Sequence, residues 1–271
     1  MKKLISVLLV VCMLAVSIFT FAGCGGEKTD WDYIKDKGVL VVGYDNSFPP
    51  MGFVDSVTKK DVGFDLDLAN AVGEALGVKV KLQPIVWSTK ETELASKNID
   101  LIWNGYTITD KRKAQVNFST PYLKNEQVIV VKKTDKEKYS TIDKMAGAKL
   151  TAQEGSTALD AIAANEVLVK NKLVQLADNV QILNELKLGY TDIAVMDYVV
   201  VNYLLSQDND FAKQLVVVEG IALENEEYGV GIRKGDDETT KKINEALASL
   251  KKSGKLQEVA KKWGLENLLL V

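Results

Sequence analysis

The chain has 271 residues, 46% hydrophobic and 26% charged, with 34 Lys and Arg against 37 Asp and Glu for a formal net charge of -3. It contains no histidine and only two cysteines, Cys12 and Cys24, which excludes Ser-His-Asp and Cys-His catalysis and the usual structural zinc sites. The mild acidity argues against nucleic acid as a partner, because domains that bind it display a basic face.

Met1-Lys2-Lys3 is a basic start, Leu4 to Phe21 is an apolar run without charge, and Ala22-Gly23-Cys24 leads into the polar Gly25-Gly26-Glu27-Lys28-Thr29. This order describes a secretory signal, although the run is also barely long enough to span a bilayer. Phe21-Ala22-Gly23-Cys24 resembles a bacterial lipobox, which implies cleavage after residue 23 and lipidation of Cys24. Residues 1–23 are therefore expected to be removed, and residues 24–37 to form a lipidated tether that holds the body to a membrane outside the cytoplasm. The remaining 248 residues are long enough for two packed lobes. They have lost Lys2 and Lys3 and carry a formal charge of -5. They have no second cysteine for a disulfide.

From Gly38 the pattern alternates strand and helix. Val39-Leu40-Val41-Val42, ending at Gly43, reads as a buried strand. Asp65 or Asp67 is expected to cap a helix with Leu68, Ala69, Val72, Ala75 and Leu76 on its apolar face and Gly77 as its stop. Val78 to Leu82 alternates as a second strand, so the succession implies a parallel sheet built by crossovers. One phrase then occurs twice. Glu93-Leu94 precedes Asp100-Leu101-Ile102, and Glu185-Leu186 precedes Asp192-Ile193-Ala194-Val195 at the same interval. The first strand emerges into Asn104-Gly105-Tyr106-Thr107 and the second into Asp197-Tyr198. Open α/β sheets bind ligands at such carboxyl ends, so two facing lobes would form a cleft with polar groups from each side.

Gln127 to Val131 reads as a strand leaving the first half, and Lys132 to Ser140 as a charged, exposed stretch. Leu215 to Val218 and Ile221-Ala222-Leu223 read as the return, and Tyr228 to Ile232 as a strand back in the first lobe. Two helices close the chain, with Ile243, Ala246, Leu247 and Leu250, then Leu256, Val259, Ala260 and Trp263, facing inward. The expected division is 38–125 for the first part of lobe 1, 126–222 for lobe 2 and 223–271 for the return. The two crossings form a hinge that permits closure.

Gly43-Tyr44-Asp45-Asn46-Ser47-Phe48-Pro49-Pro50-Met51-Gly52-Phe53 and Gly63-Phe64-Asp65-Leu66-Asp67-Leu68-Ala69 begin a set of six motifs. Thr107-Ile108-Thr109-Asp110-Lys111-Arg112 with Phe118 to Tyr122, Gln153-Glu154-Gly155-Ser156-Thr157, Asp192 to Asp197, and Tyr228 to Asp236 complete it. In this order, from about Gly38 to Leu265, the motifs resemble those of the polar amino-acid-binding proteins of ABC importers. The resemblance implies an α/β fold of two lobes with a two-stranded hinge and the ligand cleft between them. It implies that Arg112 grips the α-carboxylate, for which its planar fork is suited, with Thr107, Ser156 and Thr157 beside it. It implies that Asp197, Asn104 and Gly105 receive the α-ammonium, that Phe48 and Trp87 sandwich the side chain, and that Asp45 meets its polar tip.

The residues alone leave other readings open. Arg112 sits in a lysine-rich turn, Asp197 could be a helix N-cap, and Ser156-Thr157 an ordinary capping turn. Phe48 suits core packing, and Trp103 could line the cleft or fill the core. The resemblance implies a monomer that takes up a free amino acid, polar or basic, and delivers it to an integral membrane ABC permease with its ATPase, without catalysis, metal or cofactor. A cyclohexadienyl dehydratase-like enzyme on the same scaffold and a sensing module for a signalling partner are the alternatives. Retention of both Arg112 and Asp197 suits a zwitterion better than a substrate richer in carboxylate.

Overall fold

A computed structural model describes residues 29–207 and 210–270. The expected signal segment, the lipidation site Cys24 and residues 25–28 of the tether lie outside them. The remainder of that tether is not a loose leader. Thr29 and Asp32 form a capping box that starts helix α1 (Asp30–Lys37), and Trp31 and Ile34 are buried in the core. Asp30 pairs with Arg233 and Lys97. Composition alone hides this helix, because only two of its side chains carry the apolar contact.

The β-branched run expected after it forms β1 (Val39–Tyr44). A small antiparallel sheet of β2 (Ser47–Phe48), β3 (Gly52–Val54) and β4 (Asp61–Val62) follows. Helix α2 (Phe64–Leu76) begins after Gly63 without a side-chain cap and stops at left-handed Gly77. Neither expected aspartate caps it. Asp65 lies within the first turn and is fully buried, and Asp67 reaches Trp263 Nε1 at 2.8 Å and Lys262 Nζ at 2.6 Å. Next come β5 (Lys79–Pro84), α3 (Lys90–Ala95), β6 (Leu101–Ile102), the short α4 (Asp110–Lys113) and β7 (Val116–Phe118).

Strand β8 (Leu123–Lys132) carries the chain into the second lobe. There β9 (Lys149–Gln153), α5 (Thr157–Ala164), β10 (Lys172–Leu176), α6 (Asn179–Leu188), β11 (Ile193–Asp197), α7 (Tyr198–Ser206) and α8 (Asp210–Gln214) follow in turn. The two runs expected on the return path are one long strand, β12 (Leu215–Tyr228), with its register broken between Val217 and Glu224. Strand β13 (Gly231–Arg233) and helices α9 (Asp237–Lys252) and α10 (Lys255–Trp263) complete the first lobe.

The two five-stranded sheets run β5-β1-β6-β13-β7 and β10-β9-β11-β8-β12. In each, a central strand has a parallel neighbour on both sides, and the rest of the sheet is antiparallel. The parallel sheet expected from the strand–helix succession is thus confined to three strands in each lobe. β13 and β8 are entered from the opposite lobe and therefore run the other way.

The repeated aspartate phrase is structural. Asp100 donates its N–H to Val41 O and accepts Val41 N–H on Oδ2, both at 2.8 Å. Asp192 does the same to Lys149, both bonds again 2.8 Å. Each aspartate thus satisfies a backbone donor and acceptor of the central strand beside it. The lobes are joined by β8 and β12, which pair antiparallel with Leu123 opposite Tyr228 and Asn125 opposite Glu226.

Candidate functional site

A small cavity lies between the lobes at the carboxyl ends of the strands. Phe48, Trp87, Gly105, Thr107 and Arg112 line it from the first lobe, and Gln153, Ser156, Thr157 and Asp197 from the second. A larger open groove of about 1190 Å³ runs alongside the hinge and shares Thr107 and Thr157 with it. The smaller space is the candidate site, because a charged group from each lobe and two aromatic rings from the first converge there.

Arg112 is 7% exposed and sits on α4, whose N-cap Thr109 accepts the Arg112 N–H. Its guanidinium lies 4.6 Å from the centre of the Tyr106 ring, donates from Nη1 to Thr107 O at 2.9 Å and reaches across the cleft from Nη2 to Gly155 O at 3.2 Å. Tyr106 is itself fixed, stacked on Phe118 at 5.0 Å and donating its hydroxyl to Glu91 at 2.8 Å. An aromatic face under a buried guanidinium favours its charge.

Asp197 ends β11 and is buried. It occupies the N-cap position of α7 without making a side-chain cap bond. Its Oδ1 accepts instead from Asn125 Nδ2 at 2.6 Å and Tyr228 OH at 2.7 Å. The same Asn125 amide nitrogen donates to Glu226 Oε2 at 2.7 Å, which also receives Gln127 Nε2 at 3.0 Å and Thr107 Oγ1 at 3.1 Å. Burial pushes the Asp197 carboxyl up to about 7 and the Glu226 charge adds to the rise, while donors and the Arg112 charge oppose it.

Among the expected site residues, Gly105 brings backbone to the cavity, with φ +53°. A Cβ there would stand 2.6 Å from Phe48 Cε1. Its N–H is held by Asp65 Oδ2 at 2.7 Å. Trp87 meets the Tyr106 ring edge-on at 5.9 Å. Ser156 donates to Gln153 O at 2.8 Å, and Thr157 Oγ1 accepts from Gln127 Nε2 at 3.2 Å.

Two expected positions fall outside the cavity lining. The Asn104 side chain is fully buried, with its amide against Gly52, where a Cβ would lie 2.1 Å from Asn104 Oδ1. Asp45 Oδ1 accepts from the Ser47 N–H and hydroxyl, both at 2.8 Å, and its Oδ2 accepts from Gln153 Nε2 across the cleft. Gln153 thereby stands between Asp45 and the cavity. Burial raises the Asp45 carboxyl, and the Ser47 and Gln153 donors partly offset this. Trp103 fills the core.

Sequence reasoning missed Tyr106, Lys90, Asn125, Gln127, Gln153 and Glu226 as parts of this region. For Lys90 a signal existed, a lysine one turn before the buried Leu94. The hinge residues gave none, since it is strand pairing that brings Asn125, Gln127 and Glu226 to Asp197. Among the described residues, no cluster of acidic, histidine or cysteine side chains could hold a metal ion. No helix among them is long and apolar enough to cross a membrane.

The model of the bacterial extracellular solute-binding proteins, family 3, matches residues 40–266. The chain belongs to this family. The L-cystine-binding protein TcyJ of Escherichia coli is 30% identical over 262 residues, covering 97% of this chain and 94% of its own. The crystal structure of an ABC uptake transporter substrate-binding protein from Streptococcus pneumoniae with bound histidine is 39% identical. It has a TM-score of 0.82 and covers 90% of this chain and 99% of that one. The ancestral amino acid-binding protein AncCDT-1, a precursor of cyclohexadienyl dehydratase, is 34% identical with a TM-score of 0.78, over 86% of this chain and 98% of its own. The family-3 fold therefore extends over both lobes of this chain.

Proposed function

We propose that this chain is an extracytoplasmic receptor that closes on one free amino acid, polar or basic, and hands it to an integral membrane ABC permease with its ATPase. The observation that carries this reading is the convergence of Arg112, from one lobe, and Asp197, from the other, on one small cavity. A free amino acid carries one group for each, and both must be satisfied as they leave water. Arg112 commits two of its five N–H donors to protein carbonyls and turns Nε towards Glu91 Oε1 at 4.0 Å, which leaves one N–H on each terminal nitrogen for a carboxylate. Thr107, Ser156 and Thr157 adjoin the carboxylate, while Asp197 and the Gly105 backbone receive the ammonium. Phe48 and Trp87 flank the side chain, and Gln153, held by Asp45, meets its tip.

The reading is one of capture without catalysis. The chain has no histidine, and the cavity pairs a cation with an anion as a zwitterion requires. Its relatives include a cystine-binding and a histidine-bound protein, which supports a polar ligand. In this reading Cys24 carries the lipid that keeps the monomer beside its permease. Affinity in the micromolar range corresponds to about -8 kcal/mol, within reach of two charged contacts and an aromatic wall.

The test is calorimetric titration of residues 25–271, unfolded and refolded to strip carried-over ligand, with the twenty amino acids and L-cystine. One-to-one binding that disappears in Arg112→Ala and in Asp197→Ala is the expected outcome. A silent panel would refute the proposal, and turnover of prephenate and arogenate would then be assayed.

A further inference from the structure

Lys90 is a second cation between the lobes, set against the lining residue Trp87 and itself outside the cavity lining. It opens α3 and is 2% exposed. Its ammonium donates to Trp87 O at 3.1 Å within its own lobe and to Gly155 O at 2.9 Å in the other lobe, with Glu91 Oε1 at 3.4 Å. Two of the three N–H bonds of the ammonium are thus given to main-chain carbonyls, one in each lobe. The Trp87 and Tyr106 ring centres stand 4.8 and 5.9 Å from Nζ.

Arg112 reaches the same Gly155 oxygen yet retains free donors. The backbones of the two lobes touch at this point. Gly155 has φ +70°, and a Cβ there would lie 2.9 Å from Ser88 Cα. One lobe-2 carbonyl is thus gripped by two lobe-1 cations, of which Arg112 lines the cavity and Lys90 does not.

We propose that Lys90 is an interlobe strut, a positioning residue whose bond to Gly155 O holds the closed form while the remaining Arg112 donors serve the ligand. The ligand half of this statement rests on the amino-acid-binding reading, whereas the strut can be tested without any ligand. A strut acts on the lifetime of closure and is blind to which side chain is enclosed. Lys90→Met keeps most of the length and the apolar contact with Trp87 and Tyr106 but cannot donate.

Residues 25–271 lack cysteine, so Val57→Cys in the first lobe and Val169→Cys in the second, both exposed, give two unique spin-label positions. Interlobe distances are measured by pulsed electron resonance on the refolded chain without ligand, then with L-arginine, L-histidine, L-glutamine and L-cystine in turn. Stopped-flow tryptophan fluorescence gives the association and dissociation rates. Lys90→Met is expected to deplete the short-distance population in both conditions. It should raise the dissociation rate about tenfold or more, leaving the association rate and the rank order of the four amino acids within about threefold.

Unchanged distances and dissociation rates would overturn the proposal. So would a changed rank order with unchanged distances, which would make Lys90 a ligand contact. Should Lys90→Met fail to fold, Lys90→Arg replaces it, and retention of the short-distance population there supports the strut, whereas its loss overturns it. If the parent chain takes up none of the four amino acids, the binding reading is weakened while the distances still decide the strut.

Discussion

The Asp65 carboxylate accepts the backbone N–H of Gly105 at 2.7 Å from a position forty residues earlier in the chain. It is wholly buried, and burial pushes its carboxyl up to about 7, with the Gly105 donor and the polar groups of Tyr122 and Trp103 opposing the rise. The turn that brings backbone to the cavity is therefore pinned by a side chain whose charge is held at a cost.

That cost has a definite sign. The folded chain binds the Asp65 proton more tightly than the unfolded chain does, so this group favours folding most below its ordinary value of 3.8. The contribution is lost as pH rises towards about 7. Asp65→Asn retains an oxygen for Gly105 and removes the titration. Its melting temperature should exceed that of the parent at pH 8, and the gain should shrink as pH falls to 4. A difference independent of pH across that range would count against the assignment.

A second pH dependence concerns ligand uptake. An ammonium needs the ionised form of Asp197, and both burial and the Glu226 charge hold that carboxyl up. Affinity should therefore fall as pH drops below about 7, approaching tenfold per pH unit by pH 5, with release of up to about one proton per ligand. Glu226→Gln removes the repelling charge and should move the onset to lower pH. Calorimetry in two buffers of different ionisation heat measures the released proton directly.

Gly105→Ala tests the close approach itself. The left-handed backbone would strain an alanine by about 1–3 kcal/mol, and its Cβ would press on Phe48 at 2.6 Å. A lower melting temperature and at least a tenfold loss of affinity are expected. Full affinity in this variant would mean that Phe48 and Gly105 can separate freely.

The N-terminal helix offers a stability test. A chain beginning at Gly38 loses burial of Trp31 and Ile34, about 1.5–3 kcal/mol each, together with the Asp30–Arg233 pair. At this size the melting temperature should fall by about 5–15 °C relative to a chain beginning at Gly25. Equal melting temperatures would show that α1 contributes nothing to the fold.

Local chemistry made much of this molecule legible. The β-branched run at Val39, the glycine stop at Gly77, and the paired Asp100 and Asp192 all lie where short-range pattern put them. Asp65 was misjudged because its partner is Gly105, and a cap is the only role that nearby sequence can suggest for such an aspartate. The same limit hid Glu226, which meets Thr107 across 119 residues and Gln127 across 99. Asn104 shows a subtler failure. A position at a strand end states which backbone nears a cleft, but the direction of its side chain is set by Gly52, on a different sheet. Helix α1 escaped notice because two buried side chains in eight give too weak a period.

Strand β13 lies inside the first sheet, between β6 and β7, yet it is contributed by residues 231–233. A chain emerging amino end first has made every other strand of that sheet long before this one. Until it arrives, β6 and β7 have no partner between them and the first lobe remains an open, unfinished surface. The second lobe, by contrast, is drawn from one continuous stretch and can assemble on its own schedule. A nascent chain of this design can complete its first lobe only after some 230 of its 271 residues have been made.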